Sequence, residues 1–471
     1  MASYDEFLAA KAISDPHTGI DDPGDMRADF KPHQADICRW ALRRGRAAVF
    51  AGTGLGKTLI ELEWADKVAR HTNKPVLIYA PLAVAAQHGR EAEKFGIEAR
   101  IVRRHDDMFV GVNIANYAKM DHFDHAALGG IALDESSILK HHDGKTRGRL
   151  IEECRQVPFR LAATATPAPN DFMELGNHAE FIGAMSYTDM LAMFFSHDGG
   201  ETQKWRLKGH AEDAFWKWMC SWSVMLRKPA DLGYPNDGYD LPPLHQVQHT
   251  VKASLEAAAA DGDFFPILAS SMSERIHARK ATVDDRVALA ASITAELPQD
   301  EPVMWWANLN AEADALCRAV PGMVQVAGSE RDEAKEEKIL DFVDGRIKRM
   351  VSKGSIMGYG MNFQHCAHTG LVGLNDSFEQ VYQIVRRFWR FGQTRPVTAH
   401  FVASEMEGAV VANLKRKEED AERMASAMVR HMADLSAVEV RGATRDRADY
   451  NPEVMMQLPE WIASARSENN A

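Results

Sequence analysis

Ala51-Gly52-Thr53-Gly54-Leu55-Gly56-Lys57-Thr58 sits between a short apolar run, Ala47-Ala48-Val49-Phe50, and a stretch from Thr58 to Arg70 with helical spacing. A buried strand that breaks into a glycine loop and opens directly into a helix is the setting in which a phosphate-binding loop works. The glycines let backbone N–H groups curl around phosphate oxygens without a Cβ clash. The helix that follows turns its positive end toward the same oxygens. Gly52, Thr53, Gly54 and Gly56 are therefore candidate nucleotide-binding residues, Lys57 supplies a point charge for the β- and γ-phosphates, and the Thr58 hydroxyl is a candidate ligand of Mg²⁺. The strict pattern begins with Gly, and here Ala51 stands first. The alternative is a glycine-rich turn that binds nothing.

A second element must complete such a site. Ile131-Ala132-Leu133-Asp134-Glu135 is an apolar strand ending in two acids. Asp134 at a strand end can hold Mg²⁺ through water, and Glu135 can orient or deprotonate an attacking water. That strand begins at Gly130, and further apolar strands are expected at 75–80 and 159–163, and then at 303–306, 350–352 and 370–374, with helices at 312–320 and 379–391. Strands alternating with helices predict parallel sheets covered on both faces.

The length of 471 residues allows about three domains, or two with decoration, each with a sizeable core. Hydrophobic residues make up 45% and charged residues 26%, which excludes collagen-like, coiled-coil and mostly disordered chains. No uncharged apolar run approaches the roughly 18 residues of a membrane span. Acids near the N-terminus argue against a signal peptide. Five cysteines without a C-x-x-C pair argue for reduced thiols in a cytoplasm. The net charge of −12 argues against a nucleic-acid-coated surface but leaves room for a local basic groove. His365-Cys366-Ala367-His368 reads as a polar turn near a core rather than a zinc site.

The middle of the chain holds Trp205, Trp216, Trp218 and Trp222 among Lys204, Arg206, Lys208 and Lys217. These tryptophans either form the core of a small helical insertion or stack on bases. The spacing of Trp218 and Trp222 favours the core.

At this point the sequence resembles the superfamily two helicases, and within them the Swi/Snf-like branch of DNA translocases. The resemblance covers about residues 30–400, with the motifs in the family's order. Phe30-Lys31-Pro32-His33-Gln34 is similar to the adenine-reading element, with Gln34 as the amide; an amide can bond both N6 and N7 of adenine. Pro81 to His88, Asn116-Tyr117, the box from Asp134 to Lys140, and Thr164-Ala165-Thr166-Pro167 with Asn170 follow. The family usually has Trp at His88, His at Ser137 and often Gly at Ala165. Ser355 to Gln364 resembles the glycine motif that touches nucleotide and DNA, which implies Gly360 at the nucleotide. Gln383, Arg387, Arg390, Gly392 and Gln393 fall at the spacing of the arginine motif. Arg387 and Arg390 are three apart, so a helix would put both on one face, suited to a developing phosphate charge. The alternative is a surface helix with solvated arginines, a reading that also suits Arg386. Leu226 to Pro229 and Leu241-Pro242-Pro243 are similar to the branch's interlobe linker.

The resemblance implies an α/β fold of two tandem RecA-like parallel-sheet domains with a small helical insertion between them. The expected divisions are an N-terminal arm at 1–29, lobe one at 30–182, insertion and linker at 183–250, lobe two at 251–430 and a tail at 431–471. It implies a DNA-stimulated ATPase using ATP and Mg²⁺, with Lys57, Asp134, Glu135, Arg387 and Arg390 as catalytic residues and Thr58 and Asp134 as metal ligands. It implies DNA as partner, duplex favoured, contacted near Asn116, Lys140, Thr164 and Asn362. A minimal bacterial or phage member in the cytoplasm, with no membrane partner, is expected. A strand-separating helicase on single-stranded DNA or RNA, or a nucleotide-switched DNA-binding module with poor hydrolysis, are the other readings.

Overall fold

The computed structural model describes residues 19–140, 145–168, 171–197, 205–236, 238–252, 280–357, 362–374, 377–405 and 408–440. Two parallel sheets organise them. The first contains β1 (Arg46–Ala51), β2 (Val76–Ala80), β3 (Ala99–Ile101), β4 (Val112–Asn116), β5 (Gly130–Asp134) and β6 (Phe159–Thr164). A short antiparallel hairpin of β7 (Phe195–His197) and β8 (Trp205–Leu207) precedes β9 (Ser223–Leu226), which completes this seven-stranded sheet in the order β3-β4-β2-β5-β6-β1-β9. The second sheet has six strands: β10 (Leu244–Val251), β11 (Val303–Ala307), β12 (Met323–Val326), β13 (Arg349–Lys353), β14 (His368–Val372) and β15 (Val397–Ser404). Its order is β10-β15-β14-β11-β13-β12.

Every pair within both sheets is parallel. Parallel strands need crossovers, and those helices bury both faces, so the central strands read as unbroken apolar runs. Val76-Leu-Ile-Tyr-Ala is buried at every position, and β1 at all but its first. Each sheet has one apolar cluster on either face: Phe50, Leu77 and Leu133 on one side of the first, Val49, Ile78 and Ala132 on the other. Met304 and Trp306 face one layer of the second sheet, Val303 and Trp305 the other. The fold is α/β, with two RecA-like parallel-sheet lobes.

The principal helices are α1 (Pro32–Arg44), α2 (Lys57–Thr72), α3 (Leu82–Lys94), α4 (Glu212–Trp222), α5 (Val283–Glu296), α6 (Asn310–Ala319), α7 (Phe378–Val385) and α8 (Gly408–Val440). Helix α4 carries Trp216, Trp218 and Trp222, while the half-buried Trp205 starts β8. Trp216, Trp218 and Trp222 are 2%, 6% and 3% exposed within the first lobe's core, so they are packing residues and offer no face to a nucleic-acid base. The strand after them pairs with β1, Ala48 opposite Ser223, which builds this part of the 183–250 segment into the first sheet.

Helix α8 is 33 residues long, about 50 Å at 1.5 Å per residue. Val410 and Leu414 pack in the second lobe, whereas Met428 and Met432 pack in the first. The helix runs on through 431–440, the start of the expected tail, and Trp216 stacks on His431 with ring centroids 5.3 Å apart. Among the described residues no helix is long and apolar enough to cross a membrane.

Candidate nucleotide site

Parallel pairing puts the C-terminal ends of β1, β2, β5 and β6 along one edge of the first sheet, the edge where open α/β sheets bind ligands. The glycine loop leaves β1 there, and α2 begins at Lys57. Gly56 caps that helix with φ +86°, and a Cβ at this position would lie 2.2 Å from Gln34 Nε2. Both backbone and neighbour therefore demand glycine. The Gln34 amide lies directly against the loop, its Nε2 donating to Leu55 O at 3.0 Å and its Oε1 accepting from the Lys31 N–H at 3.0 Å. Lys57 Nζ is held by Ala51 O at 2.9 Å and Gly52 O at 3.4 Å, and Thr58 follows it in the first helical turn. Gly52, Thr53 and Gly54 form the loop itself, all partly exposed. Phe391 of the second lobe presses on Gly54, its Cβ 3.0 Å from where a glycine Cβ would stand. The Lys31 ammonium lies over the Phe391 ring at 4.2 Å and the Tyr239 ring at 4.3 Å, joining α1, the linker and the second lobe beside the loop.

Asp134 ends β5 and is 5% exposed. Tyr117 holds its main chain, the phenol donating to Asp134 O at 2.7 Å. Burial raises the pKa of the Asp134 carboxyl well above the usual carboxylate range, Glu61 adds to this, and the His88 and Lys57 charges oppose it. A hydroxyl on Thr58 and a carboxylate on Asp134 are hard oxygen donors of the kind Mg²⁺ takes. A buried carboxylate held above its ordinary pKa is one that a cation would relieve. The donor set fits Mg²⁺.

Glu135 has φ +52°, a left-handed conformation that is uncommon and costly for a residue with a Cβ, and that recurs at functional sites. The turn swings its carboxylate out of the strand. Thr164 Oγ1, at the end of β6, lies 3.4 Å from Glu135 Oε2, and Gln383 Nε2 of the second lobe lies 3.5 Å from the same oxygen. Thr164 is fully buried, so this hydroxyl serves the acid and is no nucleic-acid contact.

The arginine segment departs from expectation. Helix α7 stops at Val385, so Arg387 and Arg390 do not share one face of a helix reaching 391. The N–H groups of Arg387 and Phe388 turn to the carbonyls of Ile384 and Val385, each at 3.1 Å, which tightens the chain out of α-helical register. Phe388 is fully buried in the second lobe's core, and Gly392 at φ +91° completes the turn away. Arg387 is 6% exposed. Arg390 donates through Nη1 to Asn362 Oδ1, and its buried Nε–H has no acceptor among the described residues. Burial lowers its pKa to about 10, partly offset by Glu91 on α3 of the first lobe, which leaves it charged at neutral pH. Arg386 instead lies over the Trp389 ring at 4.3 Å. Asn116 caps a short helical turn through Ala118 N at 2.7 Å. Gly360, Asn170 and the Lys140 side chain lie outside the described residues.

Glu61, and its pairing with His88, were not singled out in the sequence. Glu61 on α2 and His88 on α3 are fully buried and bonded, His88 Nε2 to Glu61 Oε2, at 3.0 Å. The same nitrogen lies 3.8 Å from Asp134 Oδ2. Burial alone would lower the His88 pKa, but the Glu61 hydrogen bond and the Asp134 and Glu61 charges push it up to about 9. The available signal was a carboxylate in a buried helical stretch, Leu59-Ile60-Glu61-Leu62.

No family model matches the chain, and no curated protein matches it. Among solved structures, the chain is similar to the Sulfolobus solfataricus SWI2/SNF2 ATPase core in complex with dsDNA. The identity is 16% over 89% of this chain and 98% of that one, with a TM-score of 0.41.

Proposed function

We propose that this protein is a nucleic-acid-stimulated ATPase that moves along duplex DNA, with ATP bound between the two lobes. The observation that carries the reading is the convergence on Glu135, which faces Thr164 from its own lobe and Gln383 from the other, beside a phosphate loop that keeps its Gly56-Lys57-Thr58. The loop N–H groups and Lys57 would bind the β- and γ-phosphates, and Gln34 would read the adenine edge. Thr58 and Asp134 would hold Mg²⁺, which neutralises phosphate charge when bound. Glu135 would orient the attacking water and take its proton. Arg387 and Arg390 would stabilise the charge that develops on the γ-phosphate.

Because those arginines belong to the second lobe, ATP favours the arrangement in which both lobes meet it, and hydrolysis removes that preference. Alternating lobe contacts with the DNA backbone would then produce net steps. The duplex preference rests on the resemblance of the sequence motifs.

The test is ATP hydrolysis without nucleic acid, then with duplex DNA, single-stranded DNA and RNA, beside Lys57→Ala. Stimulation by duplex, lost in the variant, supports the reading. Stimulation only by single strands or RNA shifts it to a strand-separating helicase, and ATP binding without hydrolysis leaves a nucleotide-switched module.

A further inference from the structure

Glu61 follows Lys57 by one helical turn and faces inward, between Ile60 and Leu62, with no solvent access. His88 on α3 is equally buried. Its Nδ1 lies 3.1 Å from Val84 O, and a carbonyl only accepts, so Nδ1 carries a hydrogen. Its Nε2 faces Glu61 Oε2 at 3.0 Å and Asp134 Oδ2 at 3.8 Å. The ring is thus fixed at both nitrogens and stands between two carboxylates. Glu61 Oε1 is buried and accepts nothing among the described residues. Packing alone does not account for this arrangement, since apolar side chains of similar volume would fill the space without a desolvated acid. An unsatisfied buried carboxylate oxygen calls for another role.

The donor atoms of the three side chains lie within 4.8 Å of one another, close enough to suggest a metal cage. The burial points elsewhere. Mg²⁺ takes oxygen ligands and keeps several waters, and neither Glu61 nor His88 has access to solvent. We infer that Glu61 and His88 are positioning residues, a carboxylate–imidazole pair that holds the Asp134 side chain in the orientation it needs to meet the Mg²⁺ of the nucleotide. The inference rests on the ATP-site reading above. The partners that orient a metal-binding carboxylate typically account for about 10–100-fold in metal affinity.

The experiment is binding of a fluorescent ATP analogue to the full chain in EDTA and across a Mg²⁺ titration, for wild type, His88→Ala and Glu61→Gln. The expected result is unchanged affinity in EDTA with a rise of about 10-fold or more in the Mg²⁺ concentration that gives half the Mg²⁺-dependent gain in His88→Ala. Glu61→Gln, which keeps the shape and an acceptor but drops the charge, should shift in the same direction by less, and it carries the test should His88→Ala fail to fold. A wild-type Mg²⁺ midpoint in a folded variant overturns the inference, as does an equal loss of affinity with and without Mg²⁺. Failure of the wild type itself to bind the analogue would instead overturn the ATP-site reading.

Discussion

Gln383, on the second lobe, places its side-chain amide 3.5 Å from the carboxylate of Glu135, on the first. The two residues are 248 apart in sequence, and Thr164 approaches the same carboxylate oxygen from the first lobe. The acid that follows β5 is therefore a meeting point of both lobes. Weakening this contact without removing the acid should uncouple the lobes. Gln383→Ala is expected to lower nucleic-acid-stimulated hydrolysis by about 10-fold, the loss of roughly 1.4 kcal/mol at the barrier, while ATP affinity stays within about twofold. Steady-state kinetics beside equilibrium binding checks the split.

Gly56 separates conformation from chemistry. Alanine there meets both a left-handed φ and the Gln34 amide, so ATP binding should fall while the rest of the lobe keeps its fold. A Cβ at Gly148, by contrast, meets nothing within 4 Å, and the residue is helical. Gly148→Ala should stabilise the protein by about 0.5–1 kcal/mol in denaturant unfolding, with no change in ATP binding.

Trp216 tests the core assignment of the aromatic segment. It is 2% exposed and stacks edge-on against Phe172 and Phe215. Trp216→Ala should destabilise by about 3–5 kcal/mol. A base-stacking residue on the surface would cost far less stability and would weaken DNA binding instead.

His178 gives a pH dependence. It is fully buried, bonded through Nε2 to Ser136 Oγ at 3.1 Å, and burial holds its pKa down at about 4. In the unfolded chain a histidine titrates near 6.5. Between those values the unfolded state binds more protons, so stability rises with pH. The contribution is complete above about pH 6.5 and is lost as pH falls toward 4, roughly 3 kcal/mol for this group. His33, held near 4 mainly by burial, acts in the same direction. Denaturant unfolding at pH 7.5 and 4.5 should show a smaller pH difference in His178→Gln than in wild type.

Much of the first lobe was legible because its central strands are unbroken apolar runs and its loop has a fixed chemistry. Val76–Ala80 and Phe159–Thr164 fall where the pattern puts them. The arginine segment was not, because helical spacing of apolar residues persists past Val385 while the chain tightens into turns. Phe388 anchors in the core and Trp389 Nε1 reaches Pro242 O at 2.6 Å, contacts that only the tertiary structure supplies. Helix α8 was obscured by its charged stretch around Lys415-Arg416-Lys417-Glu418-Glu419-Asp420, although Met428 and Met432 are one turn apart. The Glu61–His88 pair joins residues 27 apart on two helices, and no local spacing marks it.

The most direct measurement is ATP hydrolysis by wild type and Arg390→Ala across a titration of duplex DNA, with ATP binding measured on both. Arg390 is half-buried and charged, and its buried Nε–H has no acceptor among the described residues, which suits it to the γ-phosphate. The expected result is duplex-stimulated hydrolysis in wild type and a loss of about 10³–10⁵-fold in the variant, at similar ATP affinity. Equal hydrolysis by the two proteins, or none by wild type with duplex present, would contradict a site shared between the lobes.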